Sequence, residues 1–581
     1  MLRPALRLTP AFPPALARAR TSAPVRVGLA FGLGGFAALW FGFQVFLHYS
    51  FEGYAYAPFL FSEWMPLPGE ERAAGYAPVC FGDQAGWDGM YYFVESNDPF
   101  LLRDNPRIGF DNASYRYQRI GMPLVAHAAS RLIGRRMTPP LLYHLIQFAF
   151  ATLGLGTLAG FLVSRGISPW YSLGWLASGG VVHALYHGLA DAPGDALFAM
   201  ACVAILTRRL GLYAATATLL CLCREGYVAF CGPVFLLTAC GWLNWGDAVS
   251  IGKRLAFSAL PGVVVLGWAV YVAARLHEPI LNGSRRMAWG WLVDWPFFGP
   301  VKQLRKFWWA GEQDEFRYAL VSIFTLSIVL AAAVRRLRGN AWVWAAIPIV
   351  VLAAMTGGVV WLHHSGHMKN IGYVLVFAVL LLPIERGAWL RLLLGVNLLA
   401  GVDVTLNDKL FHPVLYSPNW AGYTATPQLR SGPAMGPVTD YRSLIELAED
   451  PVPSKSGDGG FWKWCHRSIR HYSVVVTNRG TEAWLANPAT GPRSLSLTVR
   501  LFDDRHRVRW WYRYPLPEDV RPGGSVSMKF GVPMPPGGGG IMALLVSVTQ
   551  GDADFFEDHE PGAGYGEVIG KNGPRQAAAA K

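Results

Sequence analysis

Apolar runs of roughly the 20 residues that a helix needs to cross a bilayer alternate with short polar joints over the first two thirds of the chain. They fall at 25–47, 139–163, 170–186, 192–206, 210–230, 232–245, 255–276, 318–334, 341–362, 370–382 and 389–404. One joint, 48–138, is far longer than the others. Beyond 405 the pattern changes. Residues 405–467 are rich in Pro, Gly and Ser, with a short helical candidate at 441–449. From His471 onward short alternating runs at 472–477, 494–502, 507–514, 525–532 and 542–549 are separated by turns such as Arg521-Pro522-Gly523-Gly524. This pattern predicts an antiparallel β-sandwich. The expected fold is an α-helical polytopic membrane protein of about eleven transmembrane helices with a C-terminal all-β sandwich. Its expected parts are an N-terminal segment 1–24, a transmembrane domain 25–404, a linker 405–467, a sandwich 468–570 and a disordered tail 571–581.

Composition agrees with the pattern. Apolar residues make up 52% of the 581-residue chain and charged residues 15%, and the mean hydropathy is +0.26, which excludes an ordinary soluble enzyme. The formal charge of +13 raises the question of nucleic acid. The cations, however, sit in short clusters between apolar runs, as topology determinants do, and no nucleic-acid partner is expected. Arg3, Arg7, Arg18, Arg20, Arg165, Arg208, Arg209, Lys253, Arg254, Arg335, Arg336, Arg338, Arg386 and Arg391 all fall on one side if the spans alternate. The positive-inside rule makes that side the cytoplasm. The loops 48–138, 187–191, 277–316 and 363–369, with everything after about 405, are then expected outside. The Arg-rich, acid-free start also has the look of an organellar transit peptide, but the apolar run after it is long enough to span, which favours a cytoplasmic anchor.

Candidate chemistry gathers in the long joint. Asp88 stands between Trp87 and Gly89, with Asp83 five residues earlier and Met90-Tyr91-Tyr92-Phe93 following. A carboxylate held among aromatics at a bilayer surface has its pKa raised by desolvation and can act as a general base toward a hydroxyl. The same residues also make an ordinary turn. Further on, in Tyr115-Arg116-Tyr117-Gln118-Arg119, the two arginines are three apart. On a helix they share a face suited to phosphate, or simply anchor to lipid headgroups. The outside of a membrane has no nucleotide sugars or ATP, so group transfer there must draw on a lipid-carried donor.

Other polar groups interrupt the apolar runs. Tyr186-His187-Gly188-Leu189-Ala190-Asp191 and Asp195 bracket one joint. Asp191 before Ala192-Pro193 reads as a helix N-cap, whereas Asp195 lies a turn inside an apolar span. Arg224 and Glu225 sit within the 210–230 run, where ionisable groups are costly enough to mark a site. As chain neighbours they do not face each other on a helix. His363-His364-Ser365-Gly366-His367-Met368-Lys369-Asn370 holds three histidines. A metal site there is opposed by Gly366, which should break the helix that i, i+4 ligands require. The stretch 277–316, with Trp289, Trp291, Trp295, Lys302, Arg305, Lys306, Trp308 and Trp309, has the composition of an interfacial helix, with sugar stacking the rival use. Cys202, Cys221, Cys223, Cys231 and Cys240 lie in or beside spans as small apolar residues. Cys80 and Cys465 fall in outer segments and are expected to form a disulfide.

Two stretches carry a resemblance. Trp87-Asp88-Gly89-Met90-Tyr91-Tyr92, followed by Tyr115-Arg116-Tyr117-Gln118-Arg119-Ile120 and Pro123, resembles a bacterial family of polytopic proteins for cell-surface glycopolymer formation. That family is similar in turn to GT-C glycosyltransferases that use polyprenyl-phosphate sugars. The resemblance implies a multi-pass bacterial inner-membrane enzyme with its N-terminus cytoplasmic and its C-terminal domain periplasmic. Its implied partners are a polyprenyl-phosphate-linked sugar, a glycan or glycolipid acceptor and membrane lipids. It makes Asp88 the catalytic base, with Asp83 in reserve, and Arg116, Arg119, Arg224 and Lys369 the ligands of the donor phosphate. Tyr92, Tyr117, Gln118, His187, Asp191, Asp195, Glu225 and His367 become further cavity candidates. No cofactor or metal is implied, although a divalent ion is left open. The chain departs from the wider class in having its loop acids separated rather than paired. In the tail, Val476-Thr477-Asn478-Arg479-Gly480 and the run from Trp510 to Gly524 are similar to immunoglobulin-like modules of bacterial glycan-handling proteins. Trp510, Trp511, Tyr512 and Tyr514 are candidates for a sugar platform, although only alternate ones share a face of a strand. The alternative function is a non-catalytic polysaccharide assembly or transport component that binds lipid-linked glycan.

Overall fold

The structure is a computed structural model that describes residues 22–51, 88–103, 110, 112–246, 248–278, 293–310, 313–361, 364–385, 387–406, 439–450, 469–484, 495–502, 508–516, 519–533, 543–550, 554–556, 565–570 and 573–578. Asp83, the proposed Cys80–Cys465 pair and most of the joint 48–138 lie outside the described residues. The chain divides into two compact units, 1–42 with 91–406, and 43–90 with 407–581.

The first unit is helical. Its elements are α1 (Ser22–Phe51), which the unit boundary divides, α2 (Gly89–Glu95), likewise divided, α3 (Ala113–Arg116), α4 (Gly121–Leu132), α5 (Pro140–Ser164), α6 (Leu173–Leu176), α7 (Gly179–Tyr186), α8 (Asp191–Leu206) and α9 (Leu210–Cys223). There follow α10 (Val228–Ala239), α11 (Ile251–Leu276), α12 (Phe298–Ala310), α13 (Gln313–Arg336), α14 (Ala341–Ala354), α15 (His364–Asn370), α16 (Gly372–Leu381) and α17 (Ala388–Val404). Four helices are long and apolar enough to cross a membrane, at Ala23–Leu47, Pro140–Ser164, Ile251–Leu276 and Glu315–Arg336, and shorter apolar helices surround them. The chain is therefore a membrane-embedded, polytopic helical protein with a C-terminal sheet region.

Several apolar runs are not single helices. The run 170–186 divides into a 3-10 turn at Pro169–Ser172, α6 and α7, with a break at Ala177 and Ser178. Close backbone approaches flank that break: a Cβ at Gly401 would lie 1.9 Å from the Ala177 carbonyl oxygen, and one at Gly180 would lie 2.1 Å from that of Met368. The run 210–230 is interrupted where Arg224 turns extended, at φ −152° and ψ 120°. A 3-10 turn at Glu225–Tyr227 then leads into α10, so the two charges stand at a helix end rather than inside a span. Gly366 does not break α15, contrary to expectation. A Cβ there would lie 2.4 Å from the Val360 carbonyl oxygen, so this glycine serves close packing within a helix.

The second unit contains two antiparallel sheets. Its strands are β1 (Ser443–Asp450), β2 (Ile469–Asn478), β3 (Leu495–Phe502), β4 (Val508–Pro515), β5 (Ser525–Pro533), β6 (Ala543–Gln550), β7 (Asp554–Phe555), β8 (Tyr565–Gly570) and β9 (Gly573–Ala578). One sheet has the order β1-β2-β5 and the other β4-β3-β6-β8-β9, with β7 also on β6. Alternate residues of both sheets share one core: Tyr472, Val474 and Val476 from β2 meet Leu495, Leu497 and Val499 from β3 and Leu544, Val546 and Val548 from β6. The period of two read from the sequence is the reason. Two expectations fail. The helical candidate at 441–449 is strand β1, paired with β2 along its length. Its Leu, Ala and Glu favour helix, but Ile445 is buried in the core and Leu447 packs against it, and this tertiary burial overrides local propensity. The tail 571–581, expected to be disordered, carries β9, which pairs with β8.

Candidate functional site

Antiparallel packing of α8 and α9 sets the start of one beside the end of the other, so Arg224, just past α9, reaches Asp191, the first residue of α8. Nη1 of Arg224 lies 2.6 Å from Oδ1 of Asp191, close but out of line for a hydrogen bond. Nη2 donates to Oδ1 of Asn370 at the end of α15, at 3.2 Å. The neighbouring Glu225 turns the other way. It takes a two-pronged pair from Arg119, Nε to Oε2 and Nη2 to Oε1, both at 2.9 Å. Arg119 also donates to the hydroxyl of Tyr92 at 3.1 Å and to that of Tyr115. One turn into α8, Asp195 accepts the hydroxyl of Tyr227 at 2.7 Å, and the Tyr227 ring meets that of Tyr373 at 5.8 Å.

Charges therefore alternate along one connected group: Arg119 with Glu225, then Arg224 with Asp191. Burial works most strongly against the Arg119 charge, but Glu225, Tyr92 and Tyr115 together outweigh it and raise the guanidinium pKa. The arrangement needs its partners. Removing one member leaves its partner partly desolvated and uncompensated, most of all for Asp191 and Arg119, the least exposed of the four. Arg119 has most of its donors committed to Glu225 and two tyrosines, and Nη1 of Arg224 is enclosed against Asp191 without an aligned hydrogen bond.

The residues singled out in the sequence sort into three sets. Arg119, Arg224, Glu225, Asp191, Asp195 and Tyr92 come together. Asp191 sits inside the first turn of α8, behind an N-cap at Ala190 that makes no side-chain cap, and its carboxylate serves Arg224 instead of the helix end.

A second set makes packing contacts. Arg116 is buried with its guanidinium 4.0 Å over the Tyr91 ring. Tyr117 belongs to a core patch with Leu101, Ile120, Leu222, Val272 and Leu276, and its hydroxyl donates to the Asp98 carbonyl at 3.2 Å. His367 is buried against Trp361, with Nδ1 2.9 Å from Oγ of Ser322 and Nε2 3.9 Å from Glu315. His187 is buried beside His183, ring centroids 4.6 Å apart.

The third set is placed by its elements. Asp88 precedes α2 and is half-buried, Gln118 is half-buried in the 3-10 turn Tyr117–Arg119, and Lys369 is half-buried in α15 next to Asn370. His363 lies outside the described residues, among which no cluster of three or more His, Cys, Asp or Glu is arranged to hold a metal.

No family model, curated protein or solved structure matches the chain.

The group includes residues that sequence reasoning passed over. Tyr115, Tyr227, Asn370 and Tyr373 bind its charged members or pack on them. Gly372 is needed too, because a Cβ there would lie 2.0 Å from Oδ2 of Asp195. Tyr227 carried one usable signal, since it follows the charged pair by two residues. Chemically, the assembly offers a compensated chain of two ion pairs with the Asp195 carboxyl close by.

Proposed function

We propose that the chain is a membrane glycosyltransferase of GT-C-like architecture that moves a sugar from a polyprenyl-phosphate donor to a cell-surface glycan or glycolipid. In this reading it lies in a bacterial inner membrane, with its N-terminus cytoplasmic and its C-terminal sheets, immunoglobulin-like and glycan-binding, in the periplasm. The observation that carries the reading is the meeting of Arg119, Glu225, Arg224 and Asp191, drawn from three separate segments of the helical unit. Ionisable groups that interrupt an apolar run and gather in one place mark a candidate site.

The proposed roles combine these contacts with the resemblance of the loop motifs, which alone supplies those of Asp88 and Lys369. Arg224, helped by Asn370 and Lys369, receives the donor phosphate, and Asp191 holds its guanidinium. Arg119 positions Glu225. Asp88 takes the proton from the acceptor hydroxyl, whose oxygen attacks the anomeric carbon while the bond to the phosphate oxygen breaks and polyprenyl phosphate leaves. Charge growing on the leaving phosphate is where a preorganised cation contributes most.

A second reading, a non-catalytic component binding lipid-linked glycan, is favoured by the commitment of Arg119 to Glu225, Tyr92 and Tyr115. Sugar transfer by the purified chain in nanodiscs, from a panel of polyprenyl-phosphate sugars, separates the two. Asp88→Asn is expected to abolish transfer, and Arg224→Gln to lower it by about 100-fold. Wild-type protein that transfers nothing, yet retains lipid-linked glycan equally well with Asp88→Asn, would leave the binding reading standing.

A further inference from the structure

Helix α12 faces two ways. Through Gly299, Gln303 and Phe307 it packs on the 3-10 turn Gly358–Trp361 and on α13: Gln303 and Phe307 are buried, and a Cβ at Gly299 would meet the Thr356 carbonyl oxygen at 2.5 Å. Its other side carries Phe298, Val301, Lys302, Arg305, Lys306, Trp308 and Trp309, all exposed, the two tryptophans at 66% and 76%. At about 100° per residue, Phe298, Lys302, Arg305 and Trp309 fall in one stripe, so the cations are framed by aromatic rings. The helix has no acidic residue.

We propose that this face of α12 is a docking surface for anionic phospholipid headgroups at the bilayer surface. Exposed tryptophans need an apolar depth to enter, and three cations with no ion pair among the described residues need phosphate. A membrane interface is the environment that offers both within one helix diameter. Continuity with the rest of the unit points the same way. Three residues after α12 the chain enters α13, one of the four helices able to cross a membrane, so the helix lies where the chain meets the lipid surface. The proposal is independent of glycosyl transfer, since none of these residues belongs to the Arg119–Asp191 group.

The test uses the full chain in nanodiscs of equal phosphatidylglycerol and phosphatidylcholine, with retained lipid counted by native mass spectrometry. Wild-type protein is expected to retain phosphatidylglycerol on the order of tenfold over phosphatidylcholine. The triple variant Lys302→Gln, Arg305→Gln, Lys306→Gln should bring that ratio close to one, while Lys253→Gln, at an exposed cation of α11, should leave it unchanged. Trp308→Ala with Trp309→Ala should lower total lipid retained but keep the preference. These side chains are exposed, and elution volume in detergent confirms that each variant folds. A preference that survives the triple variant, is absent from the wild type or falls equally with Lys253→Gln overturns the proposal, as does capture of a protein rather than lipid on this face.

Discussion

Gly372 has no side chain, yet the position of Asp195 depends on it. A methyl group there would lie 2.0 Å from one carboxylate oxygen and 3.1 Å from the carboxyl carbon, so the first residue of α16 must be glycine for Asp195 to stay against Tyr227. Gly372→Ala is expected to destabilise the helical unit by about 1–3 kcal/mol, seen as a lower thermal midpoint in detergent. Unchanged stability would mean that the carboxylate lies elsewhere. The contrast with Arg224 shows what a sequence reveals at this scale. Arg224, Glu225 and Asp195 stand out because each is ionisable within an apolar run. Gly372, Tyr373 and Asn370 do not, because a glycine, tyrosine or asparagine at a helix end is ordinary. Arg116 and Arg119 look equivalent three residues apart, but one stacks on Tyr91 and the other binds Glu225, a difference set by neighbours from elsewhere in the chain.

Elements were legible where a period persisted and misread where local preference competed with burial. Strands β2, β3, β4, β5 and β6 fall close to their alternating runs, and in β2, β3, β5 and β6 alternate residues enter a common core. β1 was missed because its residues favour helix, and only pairing with β2 makes it a strand. The chain entering β1 is tied to the turn after β2. Asp440 accepts from Arg442 Nε and Nη2 at 2.8 and 2.7 Å and from the backbone N–H and hydroxyl of Thr481 at 2.8 and 3.0 Å. Nearby, the buried Asn478 donates to the carbonyls of Glu482 and Val520, giving a structural role to the asparagine of the Val-Thr-Asn motif. The bonds from Arg442 in the first place, and those from Thr481, hold the Asp440 carboxyl well below its ordinary value. A depressed folded-state pKa stabilises fully above the unfolded value, near 4, and that contribution is lost as pH falls through the folded one. Asp440→Asn should therefore lower stability at pH 7 and flatten its loss in acid. A chemical-denaturation series from pH 7 to pH 2 checks this, and an unaltered acid slope would contradict it.

At the scale of the molecule, the charge pattern along the helices makes a prediction about sidedness. Arg119, Glu225, Arg224 and Asp191 gather at one end of the α8–α9 hairpin, while Arg208 and Arg209 stand at its turn and Arg335 and Arg336 close α13, where Arg336 pairs with Glu385 at 2.6 Å. If the basic turns face the cytoplasm, alkaline phosphatase fused after Arg338 will be inactive in cells and the same enzyme fused after Lys581 active; the reverse pattern would invert the orientation. The amino-acid sequence by itself determined the class of protein, the alternation of apolar runs with basic turns and the period-two strands, because hydrophobicity and charge act on each residue in place. Only the tertiary structure decided which runs break, as at Ala177 and Arg224, and which polar groups meet, because those outcomes depend on close backbone approach and on charge compensation between residues far apart in the chain.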